Sequence, residues 1–184
     1  MESNKKAIEF QKKMKSPPPL IFTRMEDMHG DQAFDAISSS WQVVPCSDMA
    51  IAGFLCKARS PLNNQSTALY GCISSASGGT GESFQLLLGW AEANNVAAIL
   101  CENVPEFADS NTQGECCLND AADRLALLGL KVADHAITKA GRYGTVQSRK
   151  RLFFPAIGRG LAWDSSTWTT AMEAFKTKFK KEEK

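Results

Sequence analysis

The sequence predicts an α/β protein in which helices alternate with the strands of one sheet. Three observations carry this. Residues 49–54 (Met-Ala-Ile-Ala-Gly-Phe), 96–101 (Val-Ala-Ala-Ile-Leu-Cys) and 151–157 (Arg-Leu-Phe-Phe-Pro-Ala-Ile) are mostly apolar runs of strand length. Segments 82–94 and 115–128 between them carry apolar residues at helical spacing. At 184 residues, with 43% hydrophobic and 22% charged content, the chain has the size and composition of one folded domain with a real core. The order strand, helix, strand, helix, strand predicts parallel pairing.

Each element has its own local reason. Residues 1–15 are Lys-rich with Ala7, Phe10 and Met14 at helical spacing, and Ser16-Pro17-Pro18-Pro19 ends any helix there. Leu20-Ile21-Phe22 reads as a brief strand, and the stretch to Ser40 as loop and helix around Met28, Ala33, Phe34 and Ile37. The run at 49–54 lacks polar alternation, which predicts a strand buried on both faces. Residues 60–81 are rich in Ser, Asn and Gly and read as a long polar loop. The helix over 82–94 puts Phe84, Leu87, Leu88 and Ala91 on one face, and Asn94-Asn95 stops it. A second helix runs over 115–128 with Gly129 as its C-terminal cap. Residues 131–138 and 151–157 read as strands, and the tail from Trp168 as a helix with a basic end.

Composition excludes several classes. No apolar stretch reaches the length of a membrane helix, and the N-terminus lacks the apolar segment of a signal peptide. A net charge of +1 gives no global attraction to nucleic acid, so any basic footprint is local. The six cysteines, Cys46, Cys56, Cys72, Cys101, Cys116 and Cys117, show no metal-ligand spacing, and the adjacent pair suits reduced thiols better than a disulfide framework. No metal is expected.

Chemistry concentrates in three short motifs. Gly53-Phe54-Leu55-Cys56 sets a thiol on the loop leaving a strand, Glu102-Asn103-Val104 sets a carboxylate at the end of the next, and Gln147-Ser148-Arg149-Lys150-Arg151 supplies two arginines. In open α/β sheets ligands bind beyond the carboxyl ends of strands, where both Cys56 and Glu102 are expected.

In this order the motifs resemble those of the DNA cytosine-5 methyltransferases: a Gly-x-Pro-Cys loop, a Glu-Asn-Val motif and a Gln-x-Arg-x-Arg motif. Gly30-Asp31, Ser60 and Tyr143-Gly144 are supporting echoes, and the likeness covers roughly residues 20–160. The resemblance implies a Rossmann-like S-adenosylmethionine-dependent methyltransferase sheet. Its first strands and target-recognition region are expected to be missing, since no Phe-x-Gly-x-Gly turn precedes Leu20 and the chain stops soon after the arginine motif. The chain is expected to divide into a basic segment and Pro linker over 1–19, the partial catalytic domain of the resemblance over 20–160, and a C-terminal amphipathic, basic helix over 161–184. A partial sheet of this kind is expected to expose edges and apolar surface.

The implied roles follow cytosine chemistry. C5 is too weak a nucleophile to take a methyl group unaided, so Cys56 would add to C6 and activate it. Glu102 would contact N3 and the exocyclic amine. Arg149 or Arg151 would bind the O2 edge. Ser60, Asn103, Val104 and Gln147 would line the substrate site. The methyl donor would be S-adenosylmethionine, through residues the sequence does not identify. The partner would be duplex DNA with its cytosine flipped out, with RNA as a variant because relatives act on transfer RNA. Family role implies a nuclear location, and otherwise a cytoplasmic one.

Two residues depart from the motif. Leu55 stands where the family has proline, which frees the backbone before Cys56, and Lys57 stands where it usually has glutamine. These changes bear on catalytic efficiency; a second reading, resting on the expected missing ends of the domain, is a catalytically silent relative or a nucleic-acid-binding partner module. A third is a thiol enzyme pairing Cys56 with His29 or His135, although His135 lies in an apolar strand pattern that suits a hydrogen-bonded structural role.

Overall fold

A mixed sheet built from four mutually parallel strands and one inserted antiparallel strand positions everything that follows. The structure, a computed structural model, describes residues 5–56, 73, 79–111, 114–139, 149–158 and 170. Its main elements are α1 (Lys5–Lys12), β1 (Gln32–Asp35), β2 (Ser40–Val43), β3 (Met49–Gly53), α2 (Thr80–Ala93), β4 (Ala98–Asn103), α3 (Cys117–Leu127), β5 (Leu130–Val132), β6 (Ala136–Lys139) and β7 (Lys150–Gly158). Short 3-10 turns occupy Asp27–His29 and Pro105–Ala108.

The sheet runs β3-β4-β7-β5, with β6 also paired to β7. β3 and β4 are parallel, whereas β7 is antiparallel to β4, β5 and β6. The predicted all-parallel pairing is thus corrected. The alternation of strands and helices set the common direction of β3, β4 and β5, but nothing local in residues 150–158 shows that this strand slots between β4 and β5 in reverse.

The single strand expected over 131–138 is two strands. Val132 lies opposite Ala156 and Ala136 opposite Phe153, so the chain advances four residues against three on β7. The extra residue is a bulge beside Pro155, which has no N–H to donate. Ala133 still donates to the Pro155 carbonyl at 2.9 Å. His135 falls in this interruption and is exposed, not the structural strand histidine its surroundings predicted.

The face of β4 carrying Ile99 and Cys101 packs with Phe84, Leu87, Leu88 and Ala91 of α2 and Ala121 and Leu125 of α3 in one core. All four apolar positions predicted for α2 are buried, and Gly129 (φ +77°) turns the chain after α3 as its left-handed geometry requires. β3 departs from expectation: among the described residues it pairs with β4 alone, and Ile51 is 74% exposed. Among the described residues β3 is a sheet edge, with Met49 exposed beside Ile51.

The N-terminal third is corrected most. In α1 the buried residue is Ile8, while Phe10 and Met14 are exposed. Leu20-Ile21-Phe22 forms only an isolated bridge from Phe22 to Asp35. Ala33 and Phe34 sit in the β1–β2 hairpin, not a helix, and Phe22, Ala33 and Val44 make a second small core. The Asp35 carboxylate, 1% exposed, accepts from Ile21 N and from Ser38 N and Oγ at 2.7 Å each, which ties the incoming chain to the hairpin. The polar loop over 60–81 and the tail helix from Trp168 fall almost wholly outside the described residues. Among the described residues no helix is long and apolar enough to cross a membrane.

Candidate active site

β3 and β4 end side by side because they are parallel and in register, with Gly53 opposite Glu102. A cavity of about 810 Å3 opens at this end. Cys56, Glu102, Asn103, Val104, Arg149 and Arg151 all line it, together with the segment Thr23–Glu26 and residues of α2. Six of the eight residues predicted for the site therefore meet at one place. Ser60 and Gln147 lie outside the described residues, as do Lys57 and Tyr143-Gly144.

Backbone alternation explains how the acid faces the arginine. Glu102 pairs with Phe153 across the antiparallel β4–β7 ladder, so Arg151, two residues along, points to the same face. Arg151 Nε contacts Glu102 Oε1 directly as an ion pair, and Arg151 Nη1 donates to the Lys150 carbonyl at 2.8 Å. Burial pushes the Glu102 carboxyl above its ordinary range, and the charge of Arg149 works against that rise. A carboxyl raised in this way takes up a proton more readily than a free one.

Gly53 gives the carboxylate its room. A Cβ at this position would lie 3.0 Å from Glu102 Oε2. The sequence singled out Gly53 as part of the thiol motif, but the reason for a glycine appears only once β3 and β4 are paired.

The thiol loop is anchored from three sides. Phe54 packs on Phe84, Phe107 and Phe154 with ring centroids 5.0, 5.4 and 6.4 Å apart. The Asn103 amide, buried at the end of β4, donates to the Phe54 carbonyl at 3.4 Å, while its Oδ1 accepts from Val104 N at 2.9 Å. Leu55 N donates to Ser83 Oγ on α2 at 3.1 Å. Cys56 follows this anchor, half-buried on the cavity wall. Cys101, one residue from Glu102, is different: it is fully buried, and burial pushes its thiol up to about 12, which keeps it protonated and inert.

Sequence reasoning missed Ser83 and the Thr23–Glu26 wall. Neither carries a motif; both reach the cavity through packing, the wall because His29 Nε2 bonds the Leu86 carbonyl of α2 at 2.9 Å. Neither His29 nor His135 lines the cavity, so the described site offers Cys56 no histidine base.

The C-5 cytosine-specific DNA methylase family matches residues 84–184. Glu102, Arg149 and Arg151 lie inside that span and Cys56 lies upstream of it. No curated protein matches the chain. Among solved structures, the chain is similar to an Escherichia coli prophage-encoded DNA modification methyltransferase, with 21% identity over 66% of this chain and 29% of that one and a TM-score of 0.43. It is also similar to a mutant of Spodoptera frugiperda DNMT2, with 22% identity over 63% and 31% of the two chains and a TM-score of 0.40. Schizosaccharomyces pombe Dnmt2 methyltransferase is matched at 16% identity over 63% and 30%, with a TM-score of 0.40. The chain thus spans 29% to 31% of the length of these structures. On the family match, which covers more than half its residues, the chain belongs to the C-5 cytosine-specific DNA methylase family.

Proposed function

We propose that this chain is the central portion of a cytosine C5-methyltransferase, with residues 20–160 as its partial catalytic domain, and that Cys56 is its nucleophile. The observation that carries the reading is the convergence of Cys56, Glu102, Arg149 and Arg151 on one cavity at the carboxyl ends of β3 and β4.

In this reading the Cys56 thiolate adds to C6 of a cytosine flipped from duplex DNA. Charge moves toward N3, where the Glu102 carboxyl donates a hydrogen bond or proton; its upward-shifted pKa supports that role. Arg149 faces the O2 edge, while Arg151 holds Glu102 in place. Asn103 and Val104 shape the wall beneath the base, and Ser60 and Gln147 are assigned to the substrate by their motifs. The donor is S-adenosylmethionine, which would supply the methyl group. Met25, Glu26 and Leu86 also line the cavity, residue types suited to an adenine ring and ribose hydroxyls. RNA is the alternative substrate, and a nuclear location goes with the DNA reading.

A duplex carrying 5-azacytosine tests this without any methyl donor. The thiol adds to C6, N5 takes a proton, and the adduct persists. A mass increase equal to the bound oligonucleotide is expected for the wild-type chain and not for Cys56→Ser; an RNA stem of the same sequence distinguishes the substrates. The competing reading is a catalytically silent relative, favoured by the prior engagement of the Glu102 carboxylate with Arg151. Absence of any Cys56-dependent adduct on DNA or RNA would decide for it.

A further inference from the structure

The residue before the nucleophile raises a backbone question. Leu55 has left β3, whose last paired residue is Gly53, so its N–H has no partner in the ladder. A proline at this position, as in the motif the chain resembles, would have no N–H to satisfy and would fix its own φ. Leucine brings both a donor and a freer backbone.

The donor is met by one side chain. Ser83 Oγ accepts from Leu55 N at 3.1 Å and donates to the Thr80 carbonyl at 3.0 Å, so the hydroxyl is used in both senses. Ser83 is itself fixed in the first turn of α2, its N–H bonded to the Gly79 carbonyl at 3.0 Å. Phe84, the next residue, packs on Phe54. Ser83, Leu55 and Cys56 line the same cavity.

We propose that Ser83 is the positioning residue of the nucleophile loop: by holding the Leu55 amide it restores, through a tertiary hydrogen bond, the constraint that a proline would impose covalently. The role rests on the reading of Cys56 as nucleophile, but its physical content, a loop fixed by Ser83, is separately measurable.

The test is alkylation of Cys56 by iodoacetamide in the full chain, resolved by peptide mass, for wild type, Ser83→Ala, Ser83→Thr, Leu55→Pro and the Ser83→Ala/Leu55→Pro double variant. Loss of one hydrogen bond predicts about fivefold faster alkylation of Cys56 in Ser83→Ala through more frequent local opening. Buried Cys101 should remain unreactive, and Ser83→Thr, which keeps the hydroxyl, should behave as wild type. In the Leu55→Pro background, where the N–H is gone, Ser83→Ala should have no further effect. An unchanged rate in Ser83→Ala, an equal effect in both backgrounds, or a parallel rise at Cys101 would overturn the proposal. Formation of the 5-azacytosine adduct reports independently on Cys56, so a chain without an adduct but with the predicted alkylation pattern would refute the nucleophile and keep the loop constraint.

Discussion

Asp35 offers the cleanest quantitative prediction, because one carboxylate joins the segment leading to the cavity wall to the β1–β2 hairpin. Burial raises its pKa, but hydrogen bonds from Ile21, Ser38 and Ile37 outweigh this and bring it from 3.8 to about 2. At roughly 1.4 kcal/mol per pKa unit the shift corresponds to about 2 kcal/mol. The carboxylate itself is buried, but Ser40, Trp41 and Val43 of the same hairpin are exposed, so screening by nearby water reduces the expectation to about 1–2 kcal/mol. The folded-state pKa is depressed, so this stabilisation is present above pH 3.8 and is lost as pH falls through about 2. Asp35→Asn should therefore be less stable than wild type at pH 6, and the gap should close between pH 4 and 2. Urea unfolding of the two chains, followed by tryptophan fluorescence across that range, measures it. A gap independent of pH would refute the reasoning and leave side-chain shape, not charge, as the contribution of Asp35.

The remaining predictions concern the cavity and one turn. Glu102→Gln keeps the shape but removes the acid, and should slow adduct formation with 5-azacytosine DNA by about 10²–10⁴-fold, measured as the initial rate. In the wild type the rate should fall as pH rises through the upward-shifted pKa of Glu102, and Glu102→Gln should flatten that limb; a matching pH profile in the variant would exclude Glu102 as the acid. Gly53→Ala places a methyl 3.0 Å from Glu102 Oε2, and since a flexible side chain can yield, stability should change by less than about 1 kcal/mol while adduct formation falls about tenfold. Asn103→Ala removes the hydrogen bonds to the Val104 amide and the Phe54 carbonyl, at a cost of about 1–3 kcal/mol in denaturant unfolding. Gly129→Ala, at φ +77° with open space around it, should cost about 1 kcal/mol through backbone strain alone.

Elements whose cause is local were legible in the residues alone. The helical spacing of Phe84, Leu87, Leu88 and Ala91 can be buried only as a helix face, and Gly129 ends α3 because its left-handed geometry is a property of that residue. The three motifs also reported the family, since their residue types and order carry chemistry whatever the packing. The rest depends on contacts between distant parts of the chain. Strand direction is set by which partners are free in space, so β7 could not be recognised as antiparallel from residues 150–158, nor β3 as an edge from its apolar run. Ala33 and Phe34 became strand residues because Phe22, Val44 and the Asp35 carboxylate gave them a hairpin to join, a long-range cause that overrides weak local preference. The reason for Gly53 and the part played by Ser83 exist only where β3, β4 and α2 meet, because each is a contact between residues far apart in the chain.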